Sequence, residues 1–96
     1  MNYSSVAVLG AGSWGTALSL ELNSKGNSVT LWMRRKEQLN EIIRTKKNNR
    51  YLPNVIIPDD INLTIDIKEA VKDADIILMA VPTQKVREVI KSIKPY

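Results

Sequence analysis

Gly10, Gly12 and Gly15 stand in the spacing G-x-G-x-x-G within VAVLGAGSWGTAL, directly after a short apolar run. The spacing carries chemistry only where a strand ends and a helix begins. In that setting Gly10 permits a tight turn, Gly12 lets a diphosphate reach the backbone with no Cβ in the way, and Gly15 lets the helix sit close to the sheet. The helix then opens near Ser13 and Trp14 with unpaired N–H groups and a partial positive charge, which suits a phosphate. The plain alternative is a glycine turn that only packs a helix on a strand. Trp14 is the odd member, since such a turn has no need of an indole.

AGSWG also approximates the nucleophile elbow G-x-S-x-G, with Ala11 in the first position. Ser13 would then need an imidazole base, and the chain has no histidine. The second cluster with chemical meaning is Arg34 and Arg35, about 20 residues beyond the glycines, where a dinucleotide fold places its contact to the adenosine ribose. A carboxylate there would accept from a 2′-hydroxyl. Two guanidinium groups instead suit a 2′-phosphate through charge-assisted hydrogen bonds, so NADP is the favoured dinucleotide. NAD stays open because an arginine stacked on adenine serves both, and both arginines could simply face solvent, with Glu37 near enough to neutralise one.

These residues need a scaffold, and the hydropathy pattern supplies one. Val6 to Leu9 and Ser28 to Met33 read as strands, with a helix from Trp14 to Ser24 between them that carries apolar Ala17, Leu18 and Leu22 and stops near Gly26. Strand, helix, strand at this length is the crossover that joins two parallel strands. A helix from Lys36 to about Lys46 turns Leu39, Ile42 and Ile43 inward. NNRYLPNVIIPDD then reads as an irregular loop, followed by a brief strand from Leu63 to Ile65. Asp66 and Glu69 form a capping box for a helix whose apolar positions are Ile67, Ala70, Val71 and Ala74. Asp75 to Val81 is the most apolar strand, expected to be buried on both faces and ended by Pro82. Thr83 caps a last helix to about Ile93, with Val86, Val89, Ile90 and Ile93 inside. Four strands alternating with helices give an α/β class: a Rossmann-like open parallel sheet that halts before its second half is complete. In the order 3-2-1-4 the fourth strand lies on an unprotected edge, where self-association is expected.

Composition narrows the classes. The chain has 96 residues, 44% apolar and 25% charged, which suits one ordinary globular domain. It has no cysteine and no histidine, which removes disulfides, Cys/His metal sites and imidazole catalysis. The absence of an export signal and of a long apolar run leads us to expect a cytoplasmic protein with no membrane insertion. A net charge of +4 raises the question of nucleic acid. The charge is concentrated between Arg34 and Arg50, where seven basic residues face Glu37 and Glu41, while six carboxylates lie between Asp59 and Asp75. No aromatic residues interleave the basic cluster, so nucleic-acid binding is not expected; the cluster is either a solvated helix face or a rim that attracts phosphate.

GAGSWGTAL, VTLWMRR, NNRYLPNVIIP and ADIILMAVPTQKVREVI resemble, in order and spacing, the bacterial-type NAD(P)+-dependent glycerol-3-phosphate dehydrogenases. The resemblance covers nearly all of residues 1–96 and implies the N-terminal part of the cofactor-binding domain, with a helical substrate domain to follow. It implies an enzyme that interconverts dihydroxyacetone phosphate and sn-glycerol 3-phosphate with NAD(P)H, its product feeding phospholipid synthesis. By the same resemblance Ser13 and Trp14 sit beside the cofactor phosphates, Trp14 forms part of the cleft wall, and Arg34 and Arg35 meet the adenosine end. Tyr51 falls near the cofactor, and Pro82 and Thr83 near its nicotinamide side. Asn54 stands where the family often has glycine, a change that its tolerance of left-handed backbone makes small. The family's catalytic lysine and substrate-phosphate ligands fall beyond Tyr96, so no catalytic residue is assigned in this chain and the piece alone is expected to lack turnover. Two other functions compete: a dinucleotide-sensing module without catalysis, and a reductase of another 2-keto or 2-hydroxy acid.

Overall fold

The computed structural model describes residues 4–48, 55–81 and 83–93, without the side chains of residues 83, 84, 92 and 93. Eight elements alternate along the chain: β1 (Ser5–Leu9), α1 (Ser13–Ser24), β2 (Ser28–Trp32), α2 (Lys36–Thr45), β3 (Asn62–Thr64), α3 (Ile67–Val71), β4 (Ile76–Met79) and α4 (Thr83–Ile93). The four strands form one sheet in the order β3-β2-β1-β4, every pair parallel, as the sequence predicts. Register places Leu9 beside both Trp32 and Met79, so β1, β2 and β4 end at one level.

Alternation along the strands divides the core into two layers. Val6 and Val8 pack with Val29, Leu31, Met33, Ile42, Ile57 and Ile61 on one face. Ala7 and Leu9 pack with Trp32, Ala70, Val71 and Val89 on the other. One apolar face therefore lies under α1, α2 and the loop that follows α2, and the second under α3 and α4. The indole Nε1 of Trp32 donates to the Ile65 carbonyl at 3.0 Å and fixes the end of β2 to the turn before α3.

Several local expectations shift. The buried side of α1 is Gly15, Thr16 and Ser19, while Ala17 is exposed and Leu18 and Leu22 are half-buried. Close approach explains the choice, because a Cβ on Gly15 would collide with the Gly10 carbonyl oxygen, and only small residues fit where helix and strand lie so near. On α2, Ile42 is buried but Ile43 is 54% exposed, and on α4 Val89 is buried while Ile90 is exposed. The helix α2 stops where Lys46 turns left-handed at φ 62.

The capping box before α3 is only half made. Asp66 Oδ1 accepts from the Lys68 amide at 3.0 Å, but the Asp66 amide donates to Thr64 Oγ1 rather than to Glu69. Left-handed Asp73, at φ 63, follows this short helix before the repeat reaches Ala74. β3 sits one residue earlier than expected, leaving Ile65 in the turn. β4 is not buried on both faces: it pairs with β1 alone among the described strands, and Ile76 and Ile77 are 45% and 40% exposed.

Candidate functional site

Everything distinctive about the C-terminal end of the sheet begins with the glycine turn after β1. Gly10 has φ +123, a conformation other residues rarely adopt, and its amide donates to the Trp32 carbonyl at 3.0 Å. A Cβ there would lie 2.7 Å from the Ala80 carbonyl oxygen, so the turn is wedged between the ends of β2 and β4. Gly12 differs: a Cβ built on it meets nothing within 4 Å. The space beside its backbone is open, which is the condition a diphosphate requires.

Gly12 is also the N-cap of α1, and there the helix has no side-chain cap and no acidic residue in its first turn. The order of the strands adds to this. β1 lies between β2, reached by one crossover, and β4, reached by the opposite progression, so its end is the point where the winding direction reverses and a crevice opens. A cleft of about 620 Å³ occupies that crevice. The sequence-predicted residues Gly10, Gly12, Ser13, Trp14, Arg34 and Arg35 all line it, together with Trp32, Met33, Gln38, Met79, Ala80 and Val81.

Gly15 does not line the cleft but lies buried beneath it, where helix and turn meet. Trp14 is 67% exposed, so it is a wall of the cleft and not part of the core. Tyr51 and Pro82 lie outside the described residues, as does the Thr83 side chain. The basic segment is divided: Arg34 and Arg35 face the cleft, whereas Lys46 pairs with Asp59 at 2.6 Å on the surface. Among the described residues the carboxylate that meets Arg34 is Glu88 of α4, 3.9 Å from Nη1, and not Glu37. Both partners are largely exposed, so this contact is weak and open to exchange.

Sequence reasoning missed a buried polar cluster under the turn. Asn48, first residue of the stretch read as an irregular loop, is fully buried. Its Nδ2 donates to the Ala11 carbonyl at 2.7 Å and to Thr16 Oγ1 at 2.9 Å. Gln38 Nε2 donates to the same carbonyl at 2.8 Å and to Asn48 Oδ1 at 3.2 Å. Thr16 Oγ1 adds a longer contact to Ala11 at 3.4 Å. A local pattern gives no hint of this, because asparagine in a loop ordinarily signals a turn. No group of three or more metal-binding side chains occurs among the described residues, and none of their helices is long and apolar enough to cross a membrane.

Comparison with known proteins bears on the same residues. The family model described as NAD-dependent glycerol-3-phosphate dehydrogenase N-terminus matches residues 5–96. Glycerol-3-phosphate dehydrogenase (NAD(P)+) of Thermoanaerobacter sp. (strain X514) is 48% identical over 93% of this chain and 27% of its own length. The enzyme of the same name from Bacillus subtilis (strain 168) is 48% identical over 95% of this chain and 26% of its own. The crystal structure of glycerol-3-phosphate dehydrogenase from Coxiella burnetii superposes with a TM-score of 0.90 at 41% identity, over 97% of this chain and 29% of that one. The chain thus spans about a quarter of the length of the curated relatives it matches.

Proposed function

The chain belongs to the family of NAD-dependent glycerol-3-phosphate dehydrogenase N-termini, and on that premise we propose that it is the NADP-preferring dinucleotide-binding part of such an enzyme. The observation that carries the reading is the convergence of three features on one cleft: an open glycine, an α-helix start with no side-chain cap, and two arginines. The diphosphate lies against the backbone of Gly12 and the first turn of α1, where amide donors and the helix dipole favour negative charge. Trp14 covers it from the solvent side. Arg34 and Arg35 hold the 2′-phosphate, Arg34 exchanging its distant partner Glu88 for a stronger anion. Tyr51 contributes near the cofactor. When bound, the nicotinamide supplies the hydride.

In the longer protein the partner is dihydroxyacetone phosphate or sn-glycerol 3-phosphate, serving glycerophospholipid synthesis. This chain's own cleft is built to bind and orient. Its described lining residues include no lysine, histidine, tyrosine or carboxylic acid, so none of them is suited to give a carbonyl its proton. On this reading the chain by itself is expected to bind without turnover. The open edge of β4 is expected to associate with another copy, visible as a mass that rises with concentration in light scattering.

Calorimetric titration with NADPH and NADH tests the reading. Tighter NADPH binding is expected; tighter NADH binding contradicts the assignment of the arginines, and no binding of either contradicts the site.

A further inference from the structure

We propose that Asn48, assisted by Gln38, is a positioning residue for the diphosphate: by holding the Ala11 carbonyl inward it aims the Gly12 amide at the bound anion. The inference rests on the dinucleotide reading of the cleft. Asn48 does not itself line the cleft, it meets the glycine turn through this carbonyl, and it lies 37 residues from Ala11 in sequence. Three side chains converge on one oxygen: Asn48, Gln38 and, at greater length, Thr16. No described peptide bond is cis, so the N–H of the peptide joining Ala11 to Gly12 points opposite to its carbonyl. Locking the carbonyl under the turn locks that N–H outward, on the side where Gly12 has open space.

The cluster is also complete. Each Nδ2 and Nε2 contact has its acceptor, Thr16 accepts from Asn48 while donating to Ala11, and no buried side-chain polar atom among the described residues lacks a partner. Fully satisfied buried networks fix a single geometry. This one joins three separate parts of the chain, the glycine turn, the first turn of α2 and the segment after α2, at the point where a phosphate group would be held. Asn48 therefore adds orientation at the phosphate without touching it.

The test compares two ligands on the wild-type chain and on Asn48→Leu, which has nearly the same volume and no donors. NADPH carries the diphosphate; 2′-AMP carries only the adenosine-end phosphate. Asn48→Leu is expected to weaken NADPH about tenfold, a change of about 1.4 kcal/mol, while 2′-AMP changes less than about twofold. A merely structural role would weaken both ligands alike, and that result overturns the proposal, as does unchanged NADPH binding. Should Asn48→Leu fail to fold, Gln38→Met decides by the same pair of ligands, with a smaller selective loss for NADPH expected and unchanged NADPH binding overturning the proposal. Wild-type chain that binds neither NADPH nor NADH would instead refute the dinucleotide reading itself.

Discussion

Two helix starts in this chain solve the same problem in opposite ways. At α3 the chain satisfies its own backbone: Asp66 accepts from the Lys68 amide, and the Asp66 amide donates to Thr64. At α1 the N-cap is Gly12, which has no side chain to offer, and no acidic residue follows in the first turn. Both helices begin with backbone amides that their own turns do not use, and the twelve-residue α1 carries the larger partial positive charge at its start. One is neutralised from within, and the other faces a cleft lined by arginines. On the proposed reading, the difference teaches that a binding site is made partly by leaving out a side-chain cap, at a place where the fold is held by other means: the wedged Gly10, the close packing at Gly15 and the cluster around Ala11.

The sharpest way to break the comparison is to make α1 begin as α3 does. Gly12 has extended backbone, φ −78, and open space around its Cβ position, so Gly12→Asp is expected to fold with unchanged or slightly raised stability. Its carboxylate would then cap the helix and repel the diphosphate. NADPH affinity is expected to drop roughly a hundredfold, about 2.7 kcal/mol by calorimetry. A variant that keeps full affinity would show that the open helix start is irrelevant to binding.

A smaller effect separates the phosphate end from the adenosine end. Replacing Arg34 and Arg35 together by alanine is expected to weaken NADPH about tenfold and NADH less than about twofold, because only the former carries a 2′-phosphate for the guanidinium groups. Equal losses for both dinucleotides would assign the arginines to stacking or to general attraction. The reciprocal change at the other helix is smaller still. Asp66→Ala removes the cap of α3 and is expected to cost about 1 kcal/mol in a denaturant melt, with NADPH affinity unaltered. A loss of affinity there would mean that the two helix starts are coupled.

The sequence predicted well wherever one residue's neighbours along the chain determine its state. The apolar run Val6 to Leu9 placed β1, alternation from Ser28 placed β2, and the glycine spacing placed the turn between β1 and α1. It predicted poorly wherever a partner distant in sequence decides. The apolar positions read in α1 are Ala17, Leu18 and Leu22, yet the close approach to β1 buries Gly15, Thr16 and Ser19. Ile43 and Ile90 satisfy a helical repeat, yet both are exposed. The apolarity of IILMAV suggested burial on both sides, whereas β4 has a single strand neighbour among the described residues. Asn48 is the clearest case, since its burial depends on Ala11, Thr16 and Gln38 meeting it from other elements.

The central claim is that the backbone opening α1 holds a diphosphate. Amide-resolved NMR titration of the chain with NADPH tests it most directly, because it reads both helix starts in one experiment. The amides of Gly12, Ser13 and Trp14 are expected to shift with saturation while those of Ile67, Lys68 and Glu69 stay in place. Saturable NADPH binding that leaves Gly12 to Trp14 unmoved would contradict it.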